Sequence, residues 1–253
     1  MPVVEFRLHR AYKSASLIRN SVEAEYGLDE LDWTNDNVLG CLAKYSKDTL
    51  LHYYIWATIA VQERRYFRKC IDDDDQIDDA CDQLRAYDIE FSPFARSDDD
   101  EGDEYFLWFL QNEEAFESLW GTLTYEVFQL LFRDRSFLLQ FNRIVAEHLQ
   151  AGNVAIPDTF IANNGFLKRD GYFPAWLKRA IFHRDQGLCV LCQKDLSSLF
   201  HTESQVHFDH MVPLPSWGFN DPCNLQLLCQ HCNLSKSGTT SVTSAKYVPF
   251  WNE

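Results

Sequence analysis

Two Cys-x-x-Cys pairs, Cys189/Cys192 and Cys229/Cys232, stand 36 residues apart in the last third of a 253-residue chain. Thiolates are soft donors. Four of them match the tetrahedral preference of Zn²⁺ and leave no open position for a substrate, so the set predicts a structural zinc. Such a site staples a loop-rich segment too small to build its own core. The chain has eight cysteines, and five of them (189, 192, 223, 229 and 232) crowd into this region. Glu5, Arg7 and Arg10 put charge where a secretion signal would be apolar. The pattern therefore predicts metal binding in a reducing compartment, the cytoplasm, and not disulfides. Neither pair follows a βαβ pattern, which weakens a redox reading.

The segment between the pairs reads VHFDHMVPLPSWGFNDPCNLQLLC. Val206 to Asp209 alternates apolar and polar, which predicts a half-buried strand with His207 and Asp209 on one face. His210, Pro213 and Pro215 take the chain out of that strand. Asn224 to Leu228 leads into the second knuckle, and Gln230 to Lys236 is a short helix ending before Gly238. Upstream, Pro174 to Asp185 predicts a helix with proline at its start and Gln186-Gly187 at its end. The order is helix, knuckle, strand, loop, strand, helix.

In order and spacing, Asp209-His210-Met-Val-Pro213, Asn224-Leu225 and Leu228-Cys229-x-x-Cys232-Asn233-x-x-Lys236 resemble the HNH endonuclease signature. Leu177 to Asp185 and Gly187-Leu-Cys-Val-Leu-Cys192 resemble the helix and first knuckle of its zinc-containing, four-cysteine branch, which has the ββα-metal fold. The resemblance covers roughly residues 174–238 and says nothing of the first 170. It implies that Asp209 holds a divalent ion, Mg²⁺ or Mn²⁺, and that His210 is the general base. Asn224 would brace the loop that aims His210. Asn233 stands at the position where other members have histidine, and would be the second oxygen donor to the catalytic ion. An amide oxygen is a competent ligand for a hard cation. Lys236 would approach a phosphate.

That assignment is chemically coherent. Phosphodiester hydrolysis needs a water, an acceptor for its proton, and neutralisation of charge on the leaving oxygen. A histidine titrating near neutrality supplies the acceptor. An oxygen-bound metal polarises the phosphoryl group. Thiolates and oxygens select different metals, so the zinc and the catalytic ion are distinct. Asp209 and His210 could also be a turn carboxylate and a surface histidine, and His207 could contact DNA, cap the sheet or join the metal. His231 is expected to face solvent and Cys223 to pack as a small apolar residue. Trp176, Trp217 and Trp251 are expected in core packing or a lid before base stacking.

The elements that position this chemistry are less explicit. Residues 1–151 read as mostly helical. Apolar residues recur at three-to-four spacing over 38–69 and 124–149, and 104–120 is strongly aromatic. Residues 152–173 turn rich in Gly, Asn and Pro, which predicts a linker to a 174–253 nuclease domain. The expected class is a mainly α N-terminal domain plus a small α+β C-terminal domain of ββα-metal type stapled by a four-cysteine zinc site. The apolar run Leu50 to Val61 is shorter than the ~20 residues of a membrane span, so no membrane partner is expected.

The chain carries 23 Lys/Arg against 38 Asp/Glu, a net −15, but the excess is local. Residues 72–104 hold fifteen Asp/Glu and two Arg and read as a solvated face or loop, with docking of a basic partner, or a guard against nonspecific DNA contact, as the sharper alternative. Residues 171–253 are neutral. Lys178, Arg179, Arg184 and Lys236 are the candidate DNA contacts there, with Lys168 and Arg169 just upstream, enough for salt-sensitive backbone binding with little sequence reading. The expected activity is a metal-dependent DNA endonuclease. Its N-terminal domain would target, regulate or bind a protein partner, an ATPase being one candidate, in restriction or anti-phage defence. The competing class is a noncatalytic zinc module that binds nucleic acid or protein.

Overall fold

Apolar residues at helical spacing shape the first 150 residues, and in the computed structural model those described form seven helices. The structure describes residues 3–24, 28–69, 74–95, 104–197, 206–238 and 240–247. The helices are α1 (Val3–Glu23), α2 (Asp36–Ala43), α3 (Leu50–Lys69), α4 (Asp74–Ala86), α5 (Glu104–Gln111), α6 (Glu113–Leu131) and α7 (Arg135–Gln150). After them come α8 (Ala175–Arg184), β1 (Val206–His210), β2 (Leu225–Cys229) and α9 (Gln230–Lys236). The expected class holds: a mostly helical N-terminal part and a small two-stranded sheet near the C-terminus. No helix among the described residues is long and apolar enough to cross a membrane.

Two sequence readings change in detail. The periodic run over 124–149 is two helices, because the Asp134 carboxylate accepts the Phe137 amide at 3.0 Å and starts α7 as its N-cap. The acidic stretch expected as a loop contains α4. Ile77, Ala80, Cys81 and Leu84 form a buried face at helical spacing, while Asp75, Asp78, Asp79 and Asp82 stay exposed. Like charges turned to water cost little, and burial of the apolar face decides. Residues 96–103 of that stretch lie outside the described residues.

The chain divides into two compact units, residues 1–20 with 54–130, and residues 21–53 with 131–253. The first has an aromatic core. Phe67 stacks on Phe109 at 4.6 Å between ring centres, and Phe116 meets both at 5.3 and 5.0 Å.

The second unit gathers α7, α8, the sheet and α9. Leu177 and Ile181 of α8 pack with Val190, Leu196, Leu225, Leu227 and Leu228 around the two knuckles. Its make-up departs from the expected segmentation into 1–151, 152–173 and 174–253. Residues 152–173 belong to it as folded chain. Ala162 donates to Phe166 O at 2.8 Å across a turn in which Gly165 takes a φ of 83°. Composition marks a turn there but cannot show that the turn is pinned. Asn142 of α7 likewise donates to Cys223 O at 2.9 Å.

Candidate active site

Each cysteine pair sits where a turn closes. In the first, the Cys189 amide donates to Lys194 O at 2.8 Å. In the second, Cys229 ends β2 and caps α9, its Sγ accepting the Cys232 amide at 3.4 Å. The four Sγ atoms lie within 4.8 Å of one another, and Cys192 and Cys229 are 3.8 Å apart. A tetrahedral zinc with Zn–S bonds of about 2.3 Å requires an S···S edge of about 3.8 Å. The cluster therefore fits zinc, and it is the one group of three or more His, Cys, Asp or Glu side chains among the described residues that does. Cys223 stays outside it, fully buried with its Sγ 3.6 Å from Thr49 Oγ1.

The strands place the remaining candidates. β1 and β2 run antiparallel with Asp209 opposite Gln226 and His210 opposite Leu225. His210 closes β1 and is only 4% exposed. Burial pushes its pKa down to about 3, helped by the Arg169 and Lys236 cations and opposed by Asn220. At neutral pH the ring is uncharged, the state a proton acceptor must have. Its Nε2 has no partner among the described residues.

Asn224 locks the loop that follows. Its Oδ1 accepts the Val212 amide at 2.9 Å, and its Nδ2 donates to Val212 O and Phe219 O at 3.0 and 3.1 Å. All three bonds are buried and sit two to nine residues beyond His210.

Asp209 of β1 and Asn233 of α9 each meet the other element, in separate pairs. Asp209 Oδ2 is 2.8 Å from Lys236 Nζ and accepts Gln226 Nε2 at 3.2 Å. Asn233 Nδ2 meets His207 Nδ1 at 3.3 Å. His207 Nε2 is buried without a partner among the described residues. Two imidazole nitrogens of β1, on His207 and His210, thus have no partner among the described residues, a rare condition for buried polar atoms. Oxygen donors and an imidazole are a donor set that suits a divalent cation.

The expected DNA contacts separate by burial. Arg179 is exposed and Lys178 half-buried on α8. Arg184 is a correction: its side chain is 1% exposed and chelates Asp185 at 2.9 Å through Nε and Nη2, with Nη2 also donating to Leu225 O at 2.6 Å. Asp185, 0% exposed, further receives Arg135 Nη1 at 3.3 Å and the Leu227 amide at 2.8 Å. Arg184 ties α8 to β2 and reaches no solvent. Lys236 is a second correction. Its ammonium is buried between Asp209 and His210 O, 2.7 Å from the latter, and so does not extend toward a phosphate.

One residue escaped the sequence reading. Asn220, fully buried, donates to Lys168 O at 2.7 Å and to Ala43 O at 3.1 Å, and accepts the Asp170 amide at 3.2 Å. It fastens residues 168–170 beside His210. Arg169 is thereby an exposed cation within electrostatic reach of the imidazole. Asparagine near prolines and aspartates signals only a turn, so nothing in the sequence distinguishes Asn220. His231 is exposed, Trp176 packs half-buried against the core, Trp217 meets Phe166 edge-on at 5.5 Å, and Trp251 lies outside the described residues.

Residues 189–239 match the family model described as HNH endonuclease, about a fifth of the chain. No characterised protein and no solved structure matched the chain. The matched segment opens at the first zinc-knuckle cysteine and spans both strands and α9, so the C-terminal part of this chain carries an HNH endonuclease domain.

Proposed function

We infer that the chain is a metal-dependent DNA endonuclease with little sequence preference of its own. The observation that carries this reading is His210, buried at the end of β1 with an Nε2 unpartnered among the described residues, inside the segment matching HNH endonucleases. In this reading His210 takes the proton of the attacking water, and Asn224 and Asn220 keep its ring and loop in place. Arg169, exposed beside the ring, meets the scissile phosphate. Burial depresses the basicity of His210 most and Arg169 adds to it, so a phosphate that offsets the Arg169 charge raises the basicity of the imidazole when substrate is bound. Asp209 and Asn233 would hold the divalent ion, Mg²⁺ or Mn²⁺, which would supply charge neutralisation during hydrolysis. The four thiolates hold zinc and shape the ground on which β2 and α9 stand.

A noncatalytic zinc module is favoured by one observation, the Lys236–Asp209 ion pair, which already neutralises the carboxylate meant for the ion. Plasmid nicking decides between the two. The zinc-loaded chain with Mg²⁺ or Mn²⁺ should convert supercoiled DNA to nicked or linear forms, and His210→Ala should lose at least 100-fold, within the range of acid–base contributions. Intact plasmid with both metals refutes the nuclease reading.

The setting is proposed on thinner ground. Restriction or anti-phage defence with a protein partner, an ATPase being the candidate class, suits a nuclease joined to an acidic helical unit that can dock a basic surface. The cytoplasm suits four thiols that must stay reduced. Affinity purification from host cells, with and without the first unit's acidic residues neutralised, tests the partner.

A further inference from the structure

The first unit carries ten Lys/Arg against 21 Asp/Glu, yet four of those ten cations line one cleft while only two of the acids do. The cleft opens between α1, α3 and α4 and has a volume of about 680 Å³, within the usual range of small-ligand sites. Arg10 and Lys13 come from α1, Arg65 and Lys69 from α3. Both acids on its wall are already engaged: Glu63 by Arg10, and Asp79 by Gln83 Nε2 at 2.8 Å. Among the described residues of the wall cations outnumber acids, with Lys13 and Lys69 exposed, in a unit whose sum is strongly negative.

Two further features point to a ligand. Gln83 lines the cleft at 4% exposure with its Oε1 unpartnered among the described residues, and Arg10 Nε is buried in the same condition. Buried acceptors and donors are almost always satisfied, so both mark places where something outside the chain completes the bonding. Tyr66, 45% exposed, lines the cleft and meets Phe67 in a T-shaped pair at 5.7 Å between ring centres. A flat group can stack there.

We propose that this cleft binds a phosphorylated nucleoside. Lys13 and Lys69 hold the phosphates, Tyr66 stacks on the base, and Gln83 receives a hydrogen bond from a base or sugar donor. The site is separate from the HNH domain and independent of whether that domain cuts DNA. A nucleic-acid strand is the other polyanion a basic cleft could take, and the test distinguishes it.

Calorimetric titration of the full, zinc-loaded chain with ATP, GTP, AMP and inorganic pyrophosphate is the experiment. At least one nucleotide should bind, and at least tenfold more tightly than pyrophosphate. Lys13→Glu and Lys69→Glu change exposed side chains, so folding is retained and checked by circular dichroism, and each should weaken that nucleotide tenfold or more. Tyr66→Ala should bring it to the level of pyrophosphate. Absence of nucleotide binding, equal binding of pyrophosphate, or indifference to both charge reversals overturns the proposal. So does a DNA oligonucleotide that binds tighter than any nucleotide and loses its affinity in Lys13→Glu.

Discussion

Arg184→Leu separates a buried strut from a DNA contact. The guanidinium makes two bonds of 2.9 Å to Asp185 and one of 2.6 Å to Leu225 O, in surroundings where both side chains are at most 1% exposed. Leucine fills much of the volume over Phe132, which the guanidinium covers at 5.0 Å, but it supplies none of these bonds. Asp185 keeps Arg135 and the Leu227 amide, so its charge is only partly abandoned. Breaking a buried ion pair from one side costs about 3–5 kcal/mol. For a domain of this size that is a fall in Tm of roughly 6–20 °C. The assay is thermal unfolding of the zinc-loaded chain followed by DNA binding at several salt concentrations. Arg179→Gln, on the exposed face of the same helix, is the contrast: its Tm should hold, while the salt slope of DNA binding falls by about one. An Arg184→Leu protein that melts within about 2 °C of wild type, but loses DNA affinity and salt slope, refutes the strut and restores the phosphate contact.

Other outcomes follow from the same geometry. Cys229→Ser removes one corner of the thiolate tetrahedron, so zinc measured by atomic absorption should drop well below one per chain, and unchanged content would disprove the site. Gly218→Ala would put its Cβ 1.9 Å from Val212 O; the loop after His210 must move, and denaturant unfolding should show a loss of about 3 kcal/mol, the upper range for overpacking. His52 is buried with its Nδ1 accepting the Thr49 amide at 3.0 Å, and burial lowers its pKa from 6.5 to about 4. The unfolded chain takes the proton first, so this stabilisation is complete above pH 6.5 and is lost as pH falls toward 4. Asp221, raised by burial to about 6, works in the opposite sense over much of the same window. The difference between wild type and His52→Gln therefore isolates the histidine. It should narrow by about 3 kcal/mol between pH 7 and pH 4, and a difference that does not change with pH would remove His52 as its source.

The zinc knuckles, the strand–loop–strand–helix order and the HNH identity of the C-terminal part were legible in the sequence, because all three rest on short-range spacing. A two-residue gap between cysteines, alternation over Val206 to Asp209 and a seven-residue terminal helix are properties of contiguous chain. Cys189, Cys192, Cys229 and Cys232 needed only to be brought together, and residue type already said by what. Helical periodicity likewise announced most of the first 150 residues, though net charge concealed α4.

Which charges face water was decided by tertiary structure. Arg184 and Arg179 look equivalent in a string of letters. Five residues apart on one helix, they fall on opposite sides of it, and only packing on β2 makes the first a strut. Lys236 fits a motif position that suggests a phosphate ligand, yet its ammonium is sealed against Asp209. The same holds for Asn220, Arg169 and the cleft of the first unit. Their partners are tens of residues distant, and burial and electrostatic neighbourhood exist only after the chain has closed on itself.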